Sequence, residues 1–129
     1  MNKTALELSP QEWRRYHPAS ALELYKKQNV SQIQQRKQRA WQVARQAAQM
    51  LRDEFGANKV AVVGSLAHEA WFTAWSDIDL AAWGIPPERF YAAAGAVAEL
   101  TLEFKIDLID YETAQPMLRE AIERDGREL

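Results

Sequence analysis

The feature that most constrains the fold is a pair of aspartates two residues apart, closely following an apolar strand and a tight turn. The apolar run covers residues 59–63 and ends at Gly64-Ser65, and the aspartates are Asp77 and Asp79. If the second segment is also a strand, period-two alternation places both carboxylates on one face, with Cα atoms roughly 6–7 Å apart. The apolar residues between and after them then face a core.

Two carboxylates held this close repel each other and raise each other's pKa, and a divalent cation relieves the conflict. Ligation by oxygen alone favours magnesium or manganese. A third acid, Asp107, lies in the alternating run 104–110, where Asp110 is the alternative. Three carboxylates on neighbouring strands, beside a turn able to take phosphate, predict phosphoryl transfer. The competing interpretation of Asp77 and Asp79 is a charged strand edge that resists pairing with other chains.

The order Gly64-Ser65, Asp77-Ile-Asp79 and Asp107 resembles the polymerase-β-type nucleotidyltransferase superfamily. The likeness is strongest to its minimal bacterial members, the MNT domains, many of which are paired with a HEPN-domain protein in toxin–antitoxin modules. The resemblance covers residues 59–126. It implies an α/β (α+β) fold in which a small mixed sheet has helices packed on one face, behind a helical N-terminal extension.

The resemblance also implies a chemistry, a metal and a partner. A nucleoside monophosphate, AMP from ATP, would be transferred to a hydroxyl of a HEPN-type toxin, with two Mg²⁺ (or Mn²⁺) ions as cofactor. The residues assigned to metal binding and catalysis are carboxylates, with the third as the base: Asp77, Asp79 and Asp107. Those assigned to nucleotide binding lie in the two loops before the acids: Gly64, Ser65 and Ser76.

One departure from the family pattern keeps a second interpretation open. Many minimal members carry a basic residue and a glycine just after Gly-Ser, where this chain has Leu66 and Glu69. The lost positive charge weakens the case for turnover more than the case for the fold. The alternative is an inert module of the same fold that neutralises its partner by occlusion. Other D-x-D chemistries fit poorly, since the chain is short for a glycosyltransferase and its first strand lacks a phosphatase's nucleophilic aspartate.

Composition narrows the class of protein further. The 129 residues allow one small domain, and 16 basic against 18 acidic residues give a net charge of −2, which does not favour nucleic-acid binding. Cysteine is absent, which excludes thiolate chemistry. With no apolar run of about 20 residues and no signal-peptide pattern, we expect a cytoplasmic protein. Five tryptophans indicate a partner surface beyond the core.

The N-terminal part of the chain is predicted to be helical. We expect short helices over residues 9–18 and 19–28, then the longest helix from an N-cap at Ser31 to Phe55, ended by Gly56. The predicted domains are an extension, 1–30, and a nucleotidyltransferase domain, 31–129. The basic run 36–39 is predicted to be a solvated face. The aromatic residues proposed for partner binding or self-association are Trp13, Tyr16 and Tyr25.

The rest of the chain alternates short strands and helices. Helices are predicted over 66–72, capped by Ser65 so that its first amides face phosphate, over 86–102, and over 114–125. Asp110, at the end of the strand, is predicted to be a helix cap. His68 is expected on the surface and Lys105 at a strand edge. Three tryptophans are predicted to be core or lid residues: Trp71, Trp75 and Trp83.

Overall fold

The structure, a computed structural model, describes residues 19–129, without the side chains of residues 19–22, 25 and 69. Helices and strands alternate after a long first helix: α1 Ala19–Phe55, β1 Lys59–Val63, β2 Ile78–Trp83, α2 Phe90–Ala98, β3 Ile106–Asp110, α3 Pro116–Asp125 and β4 Arg127–Glu128. Short 3₁₀ turns connect several of them: Gly64–Leu66, Glu69–Trp71, Pro87–Arg89 and Tyr111–Thr113.

The strands form one mixed sheet in the order β3-β2-β1-β4. β1 pairs antiparallel with β2 and with β4, whereas β2 and β3 run parallel. The parallel pair requires a crossover connection, which α2 supplies. The predicted α+β fold with a small mixed sheet is confirmed, and the two strands that carry the aspartates are direct neighbours.

Helix α1 is longer than predicted. It runs without a break through the position where a new helix was expected to start at Ser31, so that prediction is wrong. The physical reason is that no proline or glycine occurs between residues 19 and 55, and nothing interrupts the backbone hydrogen-bond ladder. The predicted helix 9–18, with Trp13 and Tyr16, lies outside the described residues, as does the side chain of Tyr25.

The contacts divide the chain into two units, Met1–Gln35 and Arg36–Leu129. In the described part of the first unit, α1 exposes its side chains almost throughout residues 23–35, and Leu24 and Val30 are each 57% exposed. The second unit holds the sheet. The predicted domain boundary at residue 30 stays a prediction.

In the second unit, α1 contributes a stripe of small buried side chains. Its members recur at spacings of three and four residues, as one face of a helix requires: Ala40, Ala44, Ala47, Ala48 and Leu51. Gly56 follows with φ of +79°, the left-handed conformation predicted for the residue that ends the helix. The strand side chains Val60, Val62, Ile78 and Leu80 are fully buried.

One face of the sheet is covered partly by α3. Ile122 packs in a buried cluster with Val63 and Ala81, which Trp83, Ile109 and Tyr111 border. Asp79 lies two positions before Ala81, and Asp107 lies two positions before Ile109. Strand alternation therefore places both aspartates on this same face. The acids therefore share a face with an apolar cluster.

The loops and the last strand depart from prediction. The expected helix 66–72 is two 3₁₀ turns, and the expected helix 86–102 is a 3₁₀ turn followed by the nine residues of α2. Strand β4, which pairs with β1, was not predicted because two residues carry no periodicity. Within residues 19–129, no helix combines the length and the apolar character that crossing a membrane requires.

Candidate functional site

Asp79 and Asp107 are brought together by strand register. They are Cα partners across the parallel pair β2–β3, and both side chains are partly buried. Side chains alternate between the two faces of a strand, and the neighbours of each aspartate along its strand are apolar and point to the opposite face. Asp79 and Asp107 therefore point to the same face of the sheet. Two of the three predicted catalytic carboxylates therefore lie side by side.

The electrostatics of this pair are unfavourable for two charges. Burial raises the pKa of Asp79, and repulsion from Asp107 and then from Asp77 raises it further. A hydrogen bond with Asp107 also favours the protonated form, while the nearby ammonium of Lys105 acts in the opposite direction. A proton, or a cation in its place, is therefore favoured between Asp79 and Asp107.

Asp77 lies one residue before β2 and contributes to the charge around Asp79. Its side chain is partly exposed, and the next residue, Ile78, donates its backbone N–H to the carbonyl of Lys105 at 2.9 Å. That hydrogen bond ties the start of β2 to the segment that leads into β3. All three predicted acids thus belong to one end of the β2–β3 pair.

Gly64 lies against the acids. Its φ is +69°, and a Cβ added to it would lie 2.5 Å from Oδ2 of Asp79. A residue with a side chain would adopt this conformation at a cost and would also displace the carboxylate. The close approach of Asp79 explains why glycine occupies this position, while the predicted contact of Gly64 with nucleotide stays a prediction.

Ser65 does not cap a helix as predicted. It lies inside the 3₁₀ turn Gly64–Leu66, which has no side-chain cap, and the amides of Ala67 and His68 both donate to the carbonyl of Gly64 at 3.1 and 3.2 Å. These amides are used within the turn because a 3₁₀ turn closes on itself after three residues. The amide of Ala67 is therefore not free to bind phosphate, and the predicted role of Ser65 in nucleotide binding stays a prediction.

Ser76 uses its side chain to close the loop before β2. Its Oγ accepts from the backbone N–H of Thr73 at 2.9 Å and lies 3.2 Å from the Thr73 hydroxyl. The Ser76 hydroxyl is therefore engaged with Thr73, next to the acids. Its predicted contact with nucleotide stays a prediction.

Lys105 is a basic residue beside the acids, with its Nζ 3.7 Å from Oδ1 of Asp107. The lysine side chain is 71% exposed and that of Asp107 is 47% exposed. Lys105 precedes β3, as the prediction of a strand-edge lysine requires. Its ammonium reduces the negative charge at Asp107 while leaving the carboxylate open to solvent.

Arg36 is a residue that the sequence interpretation missed. Its Nη2 donates to the carbonyl of Ser76 at 3.1 Å, and its guanidinium lies 4.3 Å from the centre of the Phe104 ring. Nη1 lies 3.8 Å from Glu103, and only 18% of the side chain is exposed. Arg36 thus contacts the segments that lead into both acid-bearing strands. The signal was available, since Arg36 lies four residues before Ala40 on the buried stripe.

The prediction of a solvated face for residues 36–39 is therefore wrong for Arg36, and Arg39 is not free either. Arg39 makes a bidentate ion pair with Glu103 at 2.7 to 3.1 Å. This pair holds the pKa of Glu103 below its usual range, through the hydrogen bond from Arg39 first of all. Arg36 and Arg39 together attach α1 to the loop before β3.

The tryptophans of the loop between β1 and β2 are not in the core. Trp71 is 66% exposed and Trp75 is 89% exposed, so the core part of that prediction is wrong for both. His68 stacks on Trp71 with ring centres 4.4 Å apart, and its Nε2 lies 3.5 Å from Asp125. Trp83 is partly buried and stacks on Tyr111 at 4.6 Å.

Asp79 and Asp107 suit a divalent cation that takes only a few of its ligands from the protein. In the described part of the chain, no three acidic or histidine side chains are arranged so that they could hold a metal ion by themselves. Magnesium, however, is usually bound by one or two carboxylates together with substrate phosphates and water. Asp79 and Asp107 offer such a pair, and the raised pKa of Asp79 shows that extra positive charge is favoured there.

The chain, with its mixed sheet and adjacent aspartates, has the fold of solved MNT antitoxin chains. Solved chains with this fold come from toxin–antitoxin complexes. One is a mutant MntA–HpeT complex, with a TM-score of 0.55 and 19% identity over 66% of this chain and 70% of that chain. A toxin–antitoxin structure with AMP-PNP has a TM-score of 0.52 and 23% identity, over 62% and 66%.

A third similar structure is a tri-AMPylated Shewanella oneidensis HEPN toxin in complex with its MNT antitoxin. Its TM-score is 0.53 and its identity 19%, over 69% of this chain and 70% of that chain. These likenesses confirm the resemblance that the motifs indicated, at the level of the fold. No protein-family profile and no curated protein sequence matches the chain.

Proposed function

We propose that this protein is a magnesium-dependent nucleotidyltransferase that moves AMP from ATP to a hydroxyl of a HEPN-type partner protein, as the antitoxin of a toxin–antitoxin pair in the cytoplasm. The observation that carries the proposal is the register of Asp79 and Asp107, side by side beneath Gly64, whose missing Cβ leaves room at the Asp79 carboxylate. The similar structures support the nucleotide and the partner, since one contains AMP-PNP and another an AMPylated HEPN toxin.

In this proposal Asp107 is the base. Its carboxylate is half-exposed and therefore reachable by an acceptor hydroxyl, whose proton it accepts as the hydroxyl oxygen bonds to the α-phosphorus and pyrophosphate leaves. Lys105, with its Nζ 3.7 Å from Oδ1 of Asp107, adds a positive charge beside the position that the acceptor hydroxyl would take. Asp79 and Asp107, with Asp77, would hold magnesium, which supplies charge neutralisation for the triphosphate.

Gly64 and the acids set where the nucleotide lies. In this proposal a phosphate approaches the backbone of Gly64, and Ser65 and Ser76, which lie before the acids in the chain, would contact it. Leu66 is apolar and fully buried, so it provides no positive charge for the triphosphate. Within this proposal, positive charge for the phosphates comes from the metal and from Lys105.

The second candidate is a module of the same fold that neutralises its partner by occlusion, without transfer. The observation that favours it is that the described residues provide no three-ligand metal site, together with the apolar Leu66 where many relatives carry a basic residue. In that case the acids would be dispensable for neutralisation.

The test is a transfer assay with α-labelled ATP, Mg²⁺ and a HEPN-type protein that binds this one. Wild type should label the HEPN protein, and Asp77→Asn/Asp79→Asn should reduce labelling at least 100-fold, since replacing the ligands removes the metal. The matched control is Asp110→Asn. Asp110 is on the same strand as Asp107 but an odd number of residues away, and its side chain caps the Tyr111–Thr113 turn by accepting from Glu112.

The control should transfer AMP at a rate close to that of wild type. Neutralisation of the partner is measured with the same variants. If the Asp77→Asn/Asp79→Asn protein still neutralises the partner fully, the occluding module is correct and transfer is not the function. If no variant and no wild-type protein transfers label, while all of them bind the partner, the nucleotidyltransferase proposal is wrong.

A further inference from the structure

A second concave surface lies at the opposite edge of the sheet from the acids. It is a cavity of about 700 Å³, formed by one side of α1 and by the last residues of the chain. We name it the arginine groove, and its lining residues are Trp41, Arg45, Ala48, Gln49, Arg52, Arg127, Glu128 and Leu129. It shares no residue with the candidate site described above.

The groove is built by helix periodicity and by the short strand β4. Trp41, Arg45 and Arg52 recur at spacings of four and seven residues, so they lie along one side of α1, and the small side chain of Ala48 leaves a depression between them. β4 forms the other wall. The Nη2 of Arg52 donates to the carbonyl of Leu129, which joins the two walls.

The groove concentrates positive charge around an aromatic ring. It contains three arginines and one acid, Glu128. The guanidinium of Arg45 lies 5.9 Å from the Trp41 ring centre and that of Arg127 lies 6.0 Å from it. In the part of the chain that the structure describes, the Trp41 ring is the contact of Arg45, and no side chain or backbone carbonyl accepts a hydrogen bond from it.

Arg45 is therefore an exposed cation with unused donors in a concave site. Its fork of N–H groups matches a carboxylate, and pairing with a carboxylate would be charge-assisted. Arg45 and Arg52 are seven residues apart, which is roughly 10 Å along the helix axis. Two cations at this separation suit an extended peptide with more than one acidic side chain. Apolar atoms of the same peptide would pack on the Trp41 ring.

We infer that the arginine groove binds an acidic peptide segment of a partner protein. A nucleic acid fits less well, because the positive surface is short. A continuous phosphate backbone needs a longer run of cations than the three arginines of the groove provide.

The position of the groove makes this inference independent of the proposed function. The groove lies against β4, beyond β1, whereas Asp79 and Asp107 lie on β2 and β3. A segment bound in the groove would leave the acids open. Whether or not AMP is transferred, the groove would attach the protein to an acidic partner.

The experiment measures binding of a fluorescein-labelled peptide of ten residues, mainly glutamate with one leucine, to the full chain at low salt by fluorescence anisotropy. Arg45→Gln should weaken binding at least 10-fold. The matched control is Arg89→Gln, which removes the same charge from a guanidinium that also lies over an aromatic ring, 5.0 Å from the centre of Phe55. This control should change the affinity less than twofold.

A lysine peptide of the same length and a single-stranded oligonucleotide of equal charge complete the test. The inference requires that the lysine peptide does not bind and that the oligonucleotide binds more weakly than the glutamate peptide. Three outcomes would overturn it: no binding of the glutamate peptide, equal losses from Arg45→Gln and Arg89→Gln, or tighter binding of the oligonucleotide. Circular dichroism of each variant shows whether it is folded, and Arg45→Lys provides a second variant that keeps the charge.

Discussion

The two edges of the sheet carry opposite charges and are built in opposite ways. On the β2–β3 side, Asp79 and Asp107 lie on the strands themselves and are partly buried, next to Asp77. On the β1–β4 side, Arg45 and the other arginines of the groove are held mainly by α1 and are largely exposed. One edge places like charges close together inside the fold, whereas the other spreads them over its surface.

This difference predicts at which edge a substitution can change ligand binding without changing the stability of the fold. Half-buried charges that repel each other make the fold less stable, so changes at the acid edge should alter the free energy of unfolding and ligand binding together. Exposed arginines contribute little to stability because solvent screens them. Changes at the arginine edge should therefore alter binding with little change in stability.

The largest effect is expected from Gly64→Ala at the acid edge. The left-handed backbone costs a non-glycine residue roughly 1–2 kcal/mol, and displacement of the Asp79 carboxylate by the new Cβ adds to this. A loss of about 2–4 kcal/mol is expected in urea unfolding, together with loss of the stabilisation that ATP and Mg²⁺ give to wild type.

The control for this prediction is Gly95→Ala in α2, where an added Cβ would meet no atom within 4 Å. That change should leave stability unchanged or raise it by up to about 1 kcal/mol, since alanine favours the helix. If Gly64→Ala is as harmless as Gly95→Ala, the close packing of the turn against Asp79 is not as the structure has it.

The next effect is that of Arg36→Met, which tests how α1 supports the acid edge. The change removes a hydrogen bond to the Ser76 carbonyl and a cation–π contact with Phe104, both largely buried, and should cost about 2 kcal/mol. Hydrogen exchange of the Ile78 amide, which bonds to the Lys105 carbonyl, should become faster.

Arg39→Met is the matched control, since Arg39 also pairs with Glu103 but is half-exposed. It should cost clearly less than Arg36→Met, because solvent screens the exposed ion pair, and it should leave exchange at Ile78 as in wild type. Equal losses from the two variants would mean that the ion pairs with Glu103, rather than the contact with Ser76, attach α1 to the acid-bearing strands.

These contrasts also show what the sequence could predict. The proximity of the acids could be predicted because Asp77 and Asp79 are two residues apart at the start of β2 and Asp107 lies on β3, so local periodicity and the family resemblance were sufficient. Gly64 was found for the same reason. The mixed sheet followed from the alternation of short strands and helices.

What the sequence could not predict depends on contacts between distant segments. Arg36 contacts Ser76 and Phe104, and the arginine groove joins α1 to residues that follow it by about 75 positions or more, so no local spacing records either. β4 is two residues long and has no periodicity. The Ser65 cap failed because the turn closed as 3₁₀ and used its own amides. Exposure of Trp71 and Trp75 reflects tertiary packing, which propensity does not contain.

The third prediction concerns the charge of Asp79 directly. Because folding raises the pKa of Asp79, the folded protein binds this proton more tightly than the unfolded chain does. The stabilisation from the proton is complete below the unfolded pKa and is lost as the pH rises through the folded pKa. Asp79→Asn should therefore raise the melting temperature near pH 7, in metal-free buffer, by roughly 2–4 °C, about 0.5–1 kcal/mol after allowance for solvent screening.

Near pH 3, below the ordinary pKa of aspartate, the same variant should melt within about 1 °C of wild type. Asp110→Asn is the control and should show no gain at either pH, since Asp110 caps a turn and asparagine is an equally good cap. A gain from Asp79→Asn that is the same at both values of pH would show that packing, rather than repulsion among the acids, is responsible.

The smallest effect is expected at the arginine edge, from Arg52→Met. The change removes the hydrogen bond to the Leu129 carbonyl, but the side chain is partly exposed and water replaces the bond, so the cost should be about 0.5 kcal/mol or less. Exchange of the Leu129 amide, which bonds to the Val60 carbonyl at 2.9 Å, should become faster while exchange at Ile78 is unchanged. Stabilisation by ATP and Mg²⁺ should also be unchanged, because the groove and the acids share no residue. If Arg52→Met instead costs as much as Arg36→Met, the arginine edge is a folding element like the acid edge, and binding there could not be altered without altering the fold.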